Sequence, residues 1–283
     1  MALPVILIIG GLLAFAGSDG GVTSGGLPVY SWCVMLAFGI QWVAFVPAYL
    51  KQTEKYYDLT GSLTYLSVIA LGLGLSGNFT PRALLVSGLM GVWAMRLGSF
   101  LFLRIQKAGE DSRFRDIKPA FWRFLMAWTL QGLWVCFSLA AGLAIITSPP
   151  EPLGIFAVVG ALVWAFGFGI EVLADHQKNQ FRNAHPDGNH FIHTGLWSWS
   201  RHPNYFGEIV LWTGIAMMAL PVLQGWQWAT LISPVFITIL LTKISGVPML
   251  EEKADQKWGG QPDYEAYKAR TSVLVPLPPR KAE

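Results

Sequence analysis

The strongest constraint on this chain is a set of apolar runs long enough to cross a bilayer, with Lys and Arg spread unevenly between them. Spanning takes about 20 apolar residues. Eight segments qualify as candidates, roughly 2–16, 28–50, 60–76, 82–105, 120–147, 153–174, 204–222 and 226–246. Only Gln224 and Gly225 divide the last two, which predicts a tight helical hairpin. The first run is short. It looks like a signal-peptide core but lacks a positive n-region, and with Met1 ahead of it we expect it to stay uncleaved. The expected fold class is all-α: a polytopic membrane helix bundle of seven or eight transmembrane helices, forming one integral membrane domain over 1–283.

The connections alternate. The one at 51–59 carries Lys51 and Lys55, and 104–123 carries Arg104, Lys107, Arg113, Arg115, Lys118 and Arg123. Lys178, Arg182 and Arg201 lie in 175–203, and the tail holds Lys253, Lys257, Lys268 and Arg270. The connections 17–27, 148–152 and 223–225 have no Lys or Arg, and the one near 77–81 has only Arg82 at its edge. Basic connections mark the cytoplasmic side. Every long polar stretch therefore lies on that side, and the active site is expected to face the cytoplasm.

Composition agrees. Charged residues are 13% of the chain, against about 25% in a soluble domain. With 53% hydrophobic residues, both a soluble enzyme and a disordered chain are excluded. A net charge of +3 leaves no nucleic-acid footprint, and 13 Trp suit two membrane interfaces. Cys33 and Cys136 sit in apolar runs and read as buried small residues, with no disulfide framework.

Charge at membrane depth must be paired or face a cavity. Arg96 is such a residue. Glu171 and Asp175 are at i and i+4, with Arg182 two turns further down the same face. They read as a snorkelling helix end or, as we favour, a ligand-binding face. Pro203 starts a helix whose N-terminus, beside Arg201, suits an anion such as a phosphate. Glu208 and Trp212 follow on it at i and i+4. Glu54, Tyr56 and Tyr57 precede the third segment, as an interface anchor or as an acid and phenols at a cavity mouth. The five histidines, at 176, 185, 190, 193 and 202, are too irregularly spaced for a metal site, and none is expected. No Gly-x-Gly-x-x-Gly, P-loop or Gly-x-Ser-x-Gly occurs, so a nucleotide would be held by helices and loops.

The stretch Gly195-Leu-Trp197-Ser-Trp-Ser-Arg201-His202-Pro-Asn204-Tyr205-Phe-Gly-Glu208 resembles the signature of the membrane steroid 5-alpha-reductase family. So do Arg96-Leu97-Gly98, Gly109-Glu110-Asp111, Asp175-His-Gln-Lys, Phe181-Arg182 and the tail from Tyr264 and Tyr267 to Pro276. The resemblance covers roughly 50–280 and looks most like a bacterial homologue. It implies seven helices around an NADPH cavity open to the cytoplasm, in a bacterial inner-membrane protein expected to be a monomer. It implies reduction of the C4–C5 double bond of a 3-oxo-4-ene steroid or similar enone lipid entering from the bilayer. Hydride would go to the beta carbon while an acid polarises the ketone. Asp175, Arg182, Asn204, Glu208 and Trp212 fall at the cofactor, with Trp197, Arg201, His202, Tyr205 and Tyr267 in the matching motifs. Arg96 is also placed at the cofactor, and the basic stretch Arg104–Arg115, with Lys107 and Arg113, would meet the phosphates together with Arg182, including the 2′-phosphate. Glu54 falls at the substrate ketone as the acid. The family pairs that acid with a Tyr on the next helix. Here Gly91-Val-Trp93-Ala-Met95 has none, which leaves Tyr57 or Tyr65 for that place. Glu171 stands where the family has Asn.

Two other classes compete. An S-adenosylmethionine-dependent lipid or prenyl-cysteine methyltransferase shares a related signature, but its cofactor carries no phosphate for the basic run. A transporter would carry polar residues through to the opposite face, which is nearly bare.

Overall fold

The structure, a computed structural model, describes residues 2–279; the side chains of Ala2, Lys107, Ala108 and Ser112 lie outside the described part. The described residues form α1 (Ala2–Gly17), α2 (Val29–Leu50), α3 (Tyr57–Ser76), α4 (Pro81–Ala108), α5 (Phe121–Thr147), α6 (Ile155–Ala184), α7 (Pro203–Ala219), α8 (Ile232–Ile239), α9 (Val247–Trp258) and α10 (Pro262–Arg270). A two-residue hairpin, β1 (Thr23–Ser24) with β2 (Leu27–Pro28), pairs Thr23 opposite Pro28. The protein is all-helical and an integral membrane protein. Six helical stretches are long and apolar enough to cross a bilayer: Val29–Leu50, Tyr57–Ser76, Pro81–Gln106, Phe121–Thr147, Ile155–Ala184 and Gly225–Trp258. The first and seventh helices are shorter, at 16 and 17 residues.

Local sequence explains the ends. Gly77 takes the left-handed conformation that closes α3 (φ 63°). Thr80 caps α4 by accepting from the Ala83 N–H, and Pro81 fills the first helical position, where no N–H is needed. Asn78 donates to the carbonyls of Ile145 and Ser148, both at 3.2 Å, and so ties this turn to the end of α5. A π-turn at Leu240–Ile244 separates α8 from α9.

The structure groups into two compact units, Met1–Val158 with Ile215–Ser233, and Val159–Gly214 with Pro234–Glu283. The first unit is built around α5, which is far more buried than the other spans. An aromatic core at one end of it joins Phe45, Tyr57, Phe114, Phe124 and Trp128.

In the second unit, glycines let α6 and α7 touch along their backbones. A Cβ added at Gly207 would lie 2.5 Å from the Gly167 carbonyl oxygen, and one at Gly214 would lie 2.6 Å from that of Gly160. Only hydrogen fits at either place. This is the small-residue contact by which membrane helices associate without a hydrophobic driving force. The polar residues that follow on α6 therefore sit beside those that open α7.

Candidate active site

The second unit contains a cavity of about 440 Å³ lined by residues of α6, the 185–202 connection, α9 and α10. That volume is within the usual range for small-molecule sites. Its charge is one-sided: Lys178, Arg182, Arg201, Lys253 and Lys257 reach it, against the single carboxylate of Glu251. Aromatic rings supply the rest of its wall, with Phe191, Trp258, Tyr264 and Tyr267 packed together.

The signature loop is held from several directions. Trp197 is buried, donates from Nε1 to the Ala174 carbonyl at 3.0 Å, and carries Lys178 over its ring at 4.5 Å. The Tyr267 hydroxyl donates to the Trp197 carbonyl at 2.8 Å, and burial raises its pKa, so it stays a donor. Ser200 pairs with Ser272 in an isolated parallel bridge. Glu251 then takes both basic residues of the loop. Its Oε2 lies 2.8 Å from Arg201 Nη2, and its Oε1 lies 2.8 Å from His202 Nε2. Burial lowers the His202 pKa, against the opposing pull of Glu251. A neutral imidazole donating from Nε2 to a carboxylate leaves Nδ1 as an acceptor. That Nδ1 and the Arg201 Nε are buried and make no hydrogen bond within the described structure. Both are buried polar atoms without a partner among the described residues, which calls for an explanation.

Beside the cavity, Asn204 Nδ2 donates to Asp175 Oδ1 at 3.2 Å. Tyr205 stacks on His202, with ring centroids 5.6 Å apart and 7° between planes. Glu171 and Trp212 are buried, and Glu208 is half-buried on the first turns of α7. The predicted residues Arg182, Trp197, Arg201, His202 and Tyr267 thus share one cavity wall.

The other predicted residues belong to the first unit. Glu54 is 4% exposed. Its Oε1 accepts from the Asp111 N–H at 2.8 Å, and its Oε2 lies 2.5 Å from Lys118 Nζ. Burial alone would raise the Glu54 pKa, but the Lys118 and Asp111 hydrogen bonds outweigh it and hold the carboxyl below its ordinary range. Tyr57 donates to the Ala127 carbonyl at 2.9 Å inside the aromatic core. The Tyr57 hydroxyl proton is engaged there. Tyr65 is half-buried and meets Trp93 edge-to-face at 5.3 Å. Arg96 is half-buried on α4, and the Lys107 side chain lies outside the described residues.

The basic run is paired within its own unit. Arg104 faces Asp58 at 3.7 Å, Arg113 and Arg115 pair with Asp111 and Glu110 at 2.5 Å, and Lys118 pairs with Glu54. Four of its cations are thus partnered by carboxylates of the same unit, where the sequence reading turned the run toward phosphates. The cavity in the second unit has basic residues of its own. Its residues on α9 were missed: Glu251, Lys253, Lys257 and Trp258. Their signal was helical spacing, since 250, 253, 254, 257 and 258 recur on one face at the end of an apolar run, with Glu251 two turns before Trp258. Among the described residues, no group of three or more His, Cys, Asp or Glu is placed to hold a metal ion.

Residues 44–271 match the profile of a family described as a protein of unknown function (DUF1295). The chain belongs to the DUF1295 family. This family includes steroid 5-alpha-reductase-like proteins. A curated relative, 3-oxo-5-alpha-steroid 4-dehydrogenase 1 of Bos taurus, is 32% identical over 72 residues, which is 25% of this chain and 28% of the relative. The match spans little more than a quarter of that protein's length. No solved structure matches this DUF1295 member.

Proposed function

We propose that this protein reduces the conjugated double bond of a 3-oxo-4-ene steroid, or of a lipid with the same enone, using NADPH. The observation that carries the reading is the cavity of the second unit. It sets five cations and a cluster of aromatic rings around two buried nitrogen groups that lack protein partners. A ligand with several phosphates and flat rings fits that set. S-Adenosylmethionine, without phosphates, leaves most of the cations without purpose.

Arg182, Arg201, Lys253 and Lys257 would hold phosphates, with Trp258 and Tyr264 against the rings. When bound, NADPH would supply the hydrogen and electron pair that saturate the beta carbon of the enone, and the alpha carbon of the resulting enolate would take its proton from water. The chain's own task is the ketone oxygen, where negative charge develops. Glu54 and Lys118 present a proton between Oε2 and Nζ. A ketone oxygen brought against the pair receives a hydrogen bond from Nζ, or from Glu54 once that proton has crossed. Donors aimed at developing charge are typically worth about 10²–10³ in rate. Burial of Glu54 keeps water from competing for the same oxygen.

The same reading has the active site facing the cytoplasm of a bacterial inner membrane. Counting α7 as a seventh span and α1 as an eighth preserves the alternation of basic and bare connections. The functional unit is a monomer, and the substrate enters from the bilayer.

The test is titration of purified protein with NADPH and with S-adenosylmethionine, followed by loss of NADPH absorbance on adding a 3-oxo-4-ene steroid. Selective NADPH binding with turnover is expected. Selective S-adenosylmethionine binding overturns the proposal.

A further inference from the structure

The segment after α10 lies against the signature loop, within the second unit. The Arg201 N–H donates to the Ser272 carbonyl at 2.8 Å, and the Leu277 N–H donates to the Trp199 carbonyl at 3.1 Å. Ser200 Oγ donates to the Leu274 carbonyl at 2.8 Å. The loop thus takes up backbone groups of 272–277, while apolar side chains of the same segment are left outside. Val273, Val275 and Leu277 are 42%, 49% and 53% exposed, and Trp199 beside them is 46% exposed. Residues 272, 274 and 276 between them are half-buried.

The depth of this row follows from α6. Its apolar run opens at Ile155 and reaches Ala174, about 29 Å further at 1.5 Å per residue. A hydrocarbon core is about 30 Å thick, and the polar residues Asp175 and His176 follow at once. Ala174 therefore marks the bilayer boundary at this end of α6. The Trp197 indole donates to the Ala174 carbonyl, and Trp199 follows in the same loop. The apolar row sits at the height of the lipid headgroups, where Trp is itself favoured.

Charge supports the same neighbour. From Ala266 to Ala282 the sequence holds four cations and no Asp or Glu. Lys268 is paired with Asp255 and Glu265. Arg270 before the row is exposed, and Arg280 and Lys281 follow it in sequence. A contiguous exposed apolar patch rimmed by charge marks an interaction surface. Aliphatic chains between cations suit an anionic membrane interface, which takes up the apolar groups and attracts the charges. We infer that residues 272–277, with Trp199, dock on an anionic lipid surface. The bonds to the loop satisfy backbone groups that lipid cannot. They also make the bilayer a support for the cavity wall that carries Arg201 and His202.

The test uses the full chain in nanodiscs, with Val275→Cys carrying a polarity-sensitive fluorophore. Cys33 and Cys136 are buried, and wild type taken through the same labelling checks that they stay unmodified. Val273→Cys and Leu277→Cys repeat the measurement at the other exposed positions, and melting temperature checks that each variant folds. Asp263→Cys, exposed on α10, is the control in water. In discs containing phosphatidylglycerol, the label at 275 is expected to emit at shorter wavelength than the label at 263. Lipid bearing a nitroxide near its headgroup should quench it, and acrylamide in the water should not. In discs of phosphatidylcholine alone, the lipid quenching should fall, because the attraction to the cations is gone. Acrylamide quenching at 275 equal to that at 263 overturns the proposal. So does shielding from acrylamide without quenching by the lipid nitroxide, which puts a protein surface, such as a second copy of the chain, on the row. Lipid quenching equal in the two kinds of disc overturns the anionic surface as the partner. None of these readouts depends on what the cavity binds.

Discussion

Glu251 Oε1 lies 2.8 Å from His202 Nε2, while its other oxygen holds Arg201 at the same distance. One carboxylate on α9 thereby fixes the two basic residues of a loop 49 positions away in sequence. It sets the imidazole so that Nδ1 is the acceptor left for a ligand.

Replacing Glu251 by Ala should release both groups and leave the Arg201 charge partly buried without a counter-charge. Charge-assisted hydrogen bonds contribute about 1.5–3 kcal/mol each, so NADPH affinity should fall about 10–100-fold. Fluorescence titration of the cofactor measures this. An unchanged dissociation constant would make Glu251 a structural tie only.

The His202 pKa is lowered chiefly by burial. The unfolded chain therefore binds a proton at His202 more readily than the folded one, and stability rises with pH across that window. As pH falls below about 6.5, the ordinary value, stability should decline until the lowered folded pKa is passed. Melting temperatures in detergent from pH 8 to 5 test this. His202→Gln should flatten the curve there; an identical slope in the variant would assign it to other groups.

Lys253 and Lys257 reach the cavity from α9. Lys257→Ala and Lys253→Ala should each weaken NADPH binding, and the double variant should show a smaller loss of affinity with added salt. Contacts with phosphate are screened by salt over about 10 Å at 0.1 M. A salt slope equal to that of wild type would remove both lysines from the phosphate site.

At Glu54 the Gln variant keeps the shape and loses the transferable proton. Turnover should fall about 10²–10³-fold while cofactor affinity changes little. Lys118→Ala should also reduce turnover, and it should raise the Glu54 pKa, because Lys118 and Asp111 hold it down. Stability from this pair is present above the unfolded carboxyl pKa and is lost as pH falls through the folded one. A rate near that of wild type in Glu54→Gln would leave Glu54 as an anchor of the 109–120 loop.

Gly214→Val and Gly207→Val should disrupt the close approach of α6 and α7, since each Cβ would meet backbone. Backbone cannot yield as a flexible side chain does, and a cost of about 1–3 kcal/mol or more is expected. Thermal unfolding in detergent reads the loss. Gly169→Ala, on the same helix with open space at its Cβ, should melt like wild type.

Much of this protein was decided by its sequence. The six long spans follow from runs of apolar residues, and a run that long leaves no other way to satisfy its backbone in lipid. Thr80-Pro81 and Gly77 set their helix ends through local chemistry alone. Arg201, His202 and Asn204 were legible because their spacing around Pro203 is local. Tertiary structure decided which charges are already spent. Arg113, Arg115 and Lys118 look like phosphate ligands until Asp111, Glu110 and Glu54 fold against them. Tyr57 looks like a proton donor until its hydroxyl meets the Ala127 carbonyl. Glu251, which carries no motif of its own in the sequence, meets His202 only because α9 folds against the loop. A charged or hydroxyl group is available for chemistry only if nothing nearer satisfies it, and in a helix bundle the nearer group usually comes from a distant part of the chain.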